Sequence, residues 1–205
     1  MKYFASALVG LMALAGASSM AAAADAPATN TVILGGGCFW CLEHDFRGLK
    51  GVVKAVSGYS GGSIAKPTYD NYHDVSDASP VPHVEVAQIT YDTTKLTYDQ
   101  VLDWYFKHVD PTDGGGQFCD RGPSYRPVVF YGNDAEKAAA EAKKVDVAKV
   151  LKAKINVDIL PAKTFWPAEG YHQDYADKNP VKYKFYRWNC GRDQRVKEVW
   201  GALIN

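Results

Sequence analysis

The sequence predicts an α/β fold: a ferredoxin-like split β-α-β-β-α-β core, a two-layer sandwich, with an extra helix and strand and an irregular C-terminal tail. Three observations carry that class. Short β-branched and apolar runs recur at Thr31 to Leu34, Val52 to Tyr59, His83 to Tyr91 and Val128 to Tyr131. Apolar residues at helical spacing follow the first and third of these runs. Clusters of glycine and turn-forming residues separate the segments.

Thr31 to Leu34 reads as a buried strand that Gly35-Gly36-Gly37 ends. From Cys38, the residues Phe39, Leu42, Phe46 and Leu49 share one side of a helix that stops at Gly51. Val52 to Tyr59 is the second strand, and a loop from Gly58-Tyr59-Ser60-Gly61-Gly62 to about Val81 follows it. A loop that long inside a domain is usually functional. His83 to Tyr91 is the third strand, and Thr97 is placed to cap a helix reaching His108. A second glycine-rich loop runs from Asp110 to Tyr125, before the strand Val128 to Tyr131. Asn133 or Asp134 then opens a long Ala/Lys/Glu helix to about Lys152, and Ile155 to Leu160 is the last strand. Pro161 to Asn205 has little periodicity and many aromatic residues, which predicts an irregular tail wrapped on the sheet.

The N-terminus reads differently. Met1, Lys2 and Tyr3 give a positive start, Phe4 to Ala17 is uncharged, and Ser18 to Ala24 is small and Ala-rich. That order predicts a cleavable signal peptide over residues 1–24 and export, to the periplasm in a bacterium. The apolar run is shorter than the roughly 20 residues a membrane span needs. Residues 25–30 read as a disordered leader, and residues 31–205 as one domain without internal repeat or linker.

Composition excludes several function classes. The 205 residues hold 23 basic and 23 acidic side chains, so nothing argues for a nucleic-acid partner. At 47% hydrophobic and 22% charged residues, the chain is neither disordered nor fibrous.

In an exported protein, the four cysteines Cys38, Cys41, Cys119 and Cys190 first suggest two structural disulfides. The C-x-x-C pair after three glycines instead has a redox or metal spacing. Cys38 at a helix start meets unpaired N–H groups and the positive end of the dipole, which favour a thiolate, and the glycines leave its sulfur open to a ligand. Glu85 shares a strand face with Ala87 and Ile89. Desolvation there keeps a carboxyl protonated, as a general acid requires; the strand pattern alone leaves open an edge glutamate pointing to water. Tyr69 and Tyr125 stand in the two long loops, where a neutral phenol can orient an oxygen. Read as a zinc site, Cys38, Cys41, His44, His83, Cys119 and His172 complete no second pair of metal spacing, and no metal or other cofactor is expected. A thioredoxin-like thiol–disulfide oxidoreductase is the alternative, although Phe39-Trp40 is a bulky insertion between its two thiols.

The motifs together resemble a family. Gly37-Cys38-Phe39-Trp40-Cys41-x-Glu43 is similar to the active-site motif of type A peptide methionine sulfoxide reductases. The likeness continues in Gly58-Tyr59-Ser60-Gly61-Gly62, Pro67-Thr68-Tyr69, His83-Val84-Glu85-Val86, Asp110-Pro111-Thr112, Ser124-Tyr125-Arg126 and Pro167-Ala168-Glu169-x-Tyr171-His172-Gln173, in family order. The resemblance implies reduction of methionine S-sulfoxide, free or in oxidised proteins and peptides, by a monomer recycled by thioredoxin or a thioredoxin-like reductant. It implies that Cys38 attacks the sulfoxide sulfur, that Glu85 protonates the oxygen, and that Tyr69 and Tyr125 hydrogen-bond it. Phe39 and Trp40 would hold the S-methyl group, and Asp120 would shape the pocket. The resulting Cys38 sulfenic acid condenses with a second thiol. Cys190 in the tail and Cys119 beside Asp120 both remain open as that thiol. Cys41 is third, because its sulfur is expected to point away from that of Cys38.

Overall fold

The computed structural model describes residues 28–204. The predicted signal peptide and residues 25–27 of the leader lie outside the described residues. Strand β1 (Thr29–Gly35) leads to helix α1 (Phe39–Arg47), then β2 (Val52–Ser60), β3 (Val84–Asp92) and α2 (Tyr98–Lys107). A small hairpin of β4 (Gly116–Gln117) and β5 (Asp120–Arg121) precedes a 3-10 turn at Pro123–Tyr125, β6 (Val128–Tyr131) and α3 (Asp134–Leu151). The chain closes with β7 (Asp158–Pro161), β8 (Trp166–Pro167), α4 (Tyr175–Lys178), α5 (Pro180–Asn189) and α6 (Arg192–Trp200).

The main sheet runs β7-β6-β1-β3-β2-β8. Its centre, β6-β1-β3-β2, is antiparallel throughout and has the strand order of the predicted split βαβ core. Strand β7 joins β6 in parallel after the α3 crossover, as a parallel pair requires.

Alternation along the strands divides the core. Val32, Leu34, Ala87 and Ile89 face the helices and pack with Leu42, Phe46, Leu102 and Phe106. Ile33, Val84, Val86, Val128 and Phe130 form a second cluster, against which Leu160 and Phe165 pack. Each fully buried Leu or Phe stabilises the fold by about 1.5–3 kcal/mol. Thr97 caps α2 in a complete capping box with Gln100, and Asn133 caps α3 through the Glu136 N–H.

Three boundaries differ from the sequence reading. Thr29 and Asn30, read as leader, pair with Asp92 and Tyr91, because β3 is long enough to template them. The last core strand begins only at Asp158; the Asn156 N–H instead bonds the Pro111 carbonyl at 2.7 Å. The tail is not irregular but carries α4, α5 and α6. Its periodicity is faint because α5 turns Val181, Phe185 and Trp188 outward and buries Tyr183, so apolar residues lie on both faces. Helix α6 hides its docking face behind charge, burying Arg192 with Val196 and Trp200.

Candidate active site

The turn from β1 into α1 sets the nucleophile. Gly37 has φ +79, and a Cβ there would meet Gln117 Cβ at 2.9 Å; at Gly36 it would meet Val109 Cγ1 at 2.6 Å. The glycines therefore make room for the protein's own packing rather than for a ligand. Cys38 is the N-cap of α1 and only 7% exposed. Its side chain belongs to a buried cluster with Phe39, Tyr59 and Tyr72, against which Tyr186 packs. Burial, followed by the nearby Cys41 and Glu85, holds the Cys38 thiol well above the ordinary range. The helix start does not deliver the expected thiolate, since its first N–H, that of Phe39, is given to Glu85.

Glu85 lies on β3 opposite Tyr59 of β2, on the helix-facing side with Ala87 and Ile89, and is 2% exposed. Its Oε2 accepts from the Phe39 N–H at 3.0 Å, and its Oε1 accepts from the Tyr72 hydroxyl at 3.0 Å. Burial pushes its pKa up to about 8 against these two bonds, so at neutral pH it holds a proton.

Two loops complete the polar end of the site. The Tyr72 and Tyr125 hydroxyls are 2.8 Å apart, and the Gly37 N–H donates to the Tyr125 carbonyl at 3.1 Å. Burial and the adjacent Glu85 raise the pKa of both phenols, which keeps them as neutral donors. The loop from Gly61 to His83 that carries Tyr72 is fixed by His83, whose Nε2 lies 2.7 Å from the Ile64 carbonyl and whose Nδ1 accepts from Gly62. A cleft of about 370 Å³ opens over Tyr69, Tyr72, Tyr125 and Gly122.

Phe39 is buried against Tyr59 and His172, with ring centroids at 5.8 and 4.9 Å. Trp40 stacks on Tyr175 at 3.6 Å and donates its indole N–H to His172 Nδ1 at 3.0 Å. Tyr69 lies at the rim, 39% exposed, with its backbone N–H held by Glu169 Oε1 at 2.9 Å.

Cys119 and Cys190 are joined in a disulfide, with their Cα atoms 4.9 Å apart. Their sulfurs lie 3.8 and 3.9 Å from the Asp120 carboxylate oxygens. The Tyr186 hydroxyl donates to Asp120 Oδ2 at 2.6 Å and is 4.0 Å from Cys190 Sγ. Asp120 thus ties the disulfide to Tyr186, which packs against the Cys38 cluster. Cys119 is exposed, whereas Cys38 and Cys41 are buried free thiols. The zinc set considered from the sequence does not gather: His83 holds its loop, His172 serves Trp40, His44 packs on Tyr183, and Cys119 is in the disulfide.

Cys38, Glu85, Tyr125 and Asp120 therefore converge, with Phe39 and Trp40 beside them and Tyr69 at the entrance. The sequence reading missed Tyr72 and Tyr186. Tyr72 stands three residues after Tyr69, the spacing of one helical turn, which is the only signal that pointed to it. Tyr186 gave none, because the tail helix that brings it over Cys38 was not legible.

A neutral carboxyl, phenol donors and a thiol at one point suit transfer of an oxygen atom onto sulfur. The family model described as peptide methionine sulfoxide reductase matches residues 30–204. The chain belongs to that family. A relative named peptide methionine sulfoxide reductase MsrA 2, from Caulobacter vibrioides, is 50% identical over 191 residues, covering 93% of this chain and 95% of its own. The solved structure of Mxr1 from Saccharomyces cerevisiae in reduced form is similar at TM-score 0.66 and 32% identity, covering 75% of this chain and 87% of that one. Methionine sulfoxide reductase A of Corynebacterium diphtheriae matches at TM-score 0.64 and 28% identity, over 77% and 78%. The chain is an oxidoreductase that reduces methionine sulfoxide through cysteine chemistry, and its fold is that of this family rather than a thioredoxin-like one.

Proposed function

We propose that Cys38 is the nucleophile, Glu85 the general acid, and Tyr125 with Tyr69 the hydrogen-bond donors to the sulfoxide oxygen of the S epimer. The observation that carries this reading is the buried Glu85 carboxyl, held to the Cys38 turn by the Phe39 N–H. The Cys38 sulfur attacks the sulfoxide sulfur, Glu85 gives its proton to the oxygen, and the Cys38 thiol proton returns to Glu85. The oxygen passes to Cys38 as a sulfenic acid and methionine leaves. Phe39 and Trp40 form the apolar wall for the S-methyl group, and Asp120 holds Tyr186 at the site through its hydroxyl.

The Cys190 thiol then attacks Cys38, and water leaves as their disulfide forms. Cys119 attacks the Cys190 sulfur, which frees Cys38 and leaves the Cys119–Cys190 disulfide. Support for this order comes from Cys190 lying beside Tyr186, which packs against the Cys38 cluster, and from the left-handed Gly191 that follows it, φ +69. The relay ends on the exposed Cys119, where a dithiol protein can attack; Mxr1 has itself been crystallised with Trx2. The clients in this reading are oxidised proteins and peptides, met by a monomer at an open cleft. With the signal peptide of residues 1–24, the enzyme works outside the cytoplasm on a thioredoxin-like donor supplied by a membrane electron relay.

Single-turnover reduction of each methionine sulfoxide epimer by the pre-reduced protein, with mass mapping of the disulfide formed, tests the site. Methionine from the S epimer alone, with Cys190 bonded to Cys38 or Cys119, is expected; unchanged thiols would refute it. Undiminished turnover in the envelope of cells lacking any membrane electron relay would refute the donor assignment.

A further inference from the structure

Arg192 is a buried cation that the chemistry above does not use. It is 2% exposed and opens α6, where the positive end of the helix dipole opposes its charge. Its Nε lies 3.5 Å from Asp45 Oδ2, and among the described residues neither atom has a hydrogen-bond partner. A pair of that geometry compensates poorly for taking the charge out of water, so stability alone does not account for an arginine here. Its contacts instead tie together the segments that carry the three cysteines of the relay. Nη1 donates to the carbonyl of Gly36, in the turn that leads to Cys38, at 3.2 Å, and Nη2 donates to the His108 carbonyl at 2.9 Å. The guanidinium lies over the Phe118 ring, 4.6 Å from its centroid. Phe118 immediately precedes Cys119 and holds a left-handed backbone, φ +56, which a bulky residue adopts only where its surroundings impose it. Gly191 joins Arg192 to Cys190, whose sulfur accepts from the Cys119 N–H at 3.2 Å.

We infer that Arg192 is a positioning residue of the disulfide relay, which holds the Cys38 turn, the Cys190 end of α5 and the β4–β5 turn with Cys119 in reach of one another. The inference rests on the order of thiol exchange proposed above. In the first step, the Cys190 sulfur bonds to the Cys38 sulfur, the Cys38 S–O bond breaks, and the hydroxyl leaves as water with the Cys190 proton. In the second, the Cys119 sulfur bonds to the Cys190 sulfur, the Cys38–Cys190 bond breaks, and the Cys119 proton passes to Cys38. Both steps join sulfurs from segments far apart in sequence, so their rates depend on how those segments are held. A lysine keeps the charge but lacks the planar fork that spans two carbonyls while lying over a ring.

The test uses the full chain, reduced at all four cysteines and mixed with methionine S-sulfoxide and dimedone without reductant, with quenched samples mapped by mass. In Arg192→Lys, closure of Cys38–Cys190 is expected to slow about 10–100-fold more than release of the first methionine, so that dimedone captures a Cys38 sulfenic acid that wild type does not show. Phe118→Leu removes only the ring under the guanidinium. There the Cys38–Cys190 disulfide is expected to form at the wild-type rate and to persist, because the exchange onto Cys119 slows. Wild-type closure and exchange in folded Arg192→Lys would overturn the role, and so would a loss of methionine release as large as the loss of closure. If Arg192→Lys does not fold in a urea titration, Phe118→Leu decides alone, and unimpaired exchange in it overturns the role. A wild-type chain that releases no methionine, or whose first disulfide is not Cys38–Cys190, would overturn the relay itself.

Discussion

The Tyr72 hydroxyl donates to Glu85 Oε1 at 3.0 Å while sharing a 2.8 Å hydrogen bond with Tyr125. Tyr72 thereby aims the carboxyl and favours its charged form against burial. The bond restrains a pKa that would otherwise lie still higher.

Tyr72→Phe removes that donor and keeps the ring. A hydrogen bond to a charged group contributes about 1.5–3 kcal/mol, so the alkaline limb of kcat/KM moves up by about one to two pH units. The rate at neutral pH falls by roughly ten-fold as the carboxyl loses its aim. A pH–rate profile of the variant checks both, and an unmoved limb would contradict the positioning role.

Glu85 also links stability to pH. Its folded pKa is raised from 4.5 to about 8, so the folded state binds the proton more tightly than the unfolded chain. The protonated group is tolerated below pH 4.5, and stability falls as pH rises from there through about 8. Glu85→Gln removes this loss, which is on the order of a few kcal/mol for a fully buried carboxyl. Denaturant melts at pH 8.5 are expected to favour the variant and melts at pH 4.5 to show little difference.

Arg187 fastens the tail that carries Tyr186 and Cys190. Its Nη1 donates to Asp45 at 2.7 Å and to the Tyr183 hydroxyl at 2.9 Å, and its Nη2 reaches Asp193 at 2.6 Å. Arg187→Met leaves the buried Asp45 carboxylate with Arg192 alone, 3.5 Å away. A destabilisation of roughly 3 kcal/mol is expected in urea titrations. Quenched-flow mapping of the Cys38–Cys190 disulfide is expected to show slower closure.

Cys119→Ser cuts the relay after its first exchange. The first methionine forms at the wild-type rate and the chain stops as a Cys38–Cys190 disulfide, which steady-state assays with a dithiol protein register as lost recycling. Unimpaired recycling would place the reductant's attack elsewhere.

The core order, the caps at Thr97 and Asn133, and the face of Glu85 were legible because each rests on local spacing. Cys38 was legible as a residue but not in its state, since its thiol is governed by burial and by Cys41, Glu85 and Tyr186, which come together only in the folded chain. The same limit applies to Tyr72, whose role depends on a contact with Glu85 13 residues away, and to the Cys119–Cys190 pairing across 71 residues. The tail helices escaped because α5 carries apolar residues on its outer face and α6 buries an arginine.

The central claim is that a protonated Glu85 drives oxygen transfer to Cys38. The direct test is the pH dependence of the first methionine released from S-sulfoxide by pre-reduced wild type and Glu85→Gln. The account predicts a wild-type rate that declines as pH rises through about 8, and a variant about 10²–10⁴-fold slower that lacks this limb while binding substrate normally. A variant that keeps the wild-type rate, or keeps the same decline with pH, would contradict it.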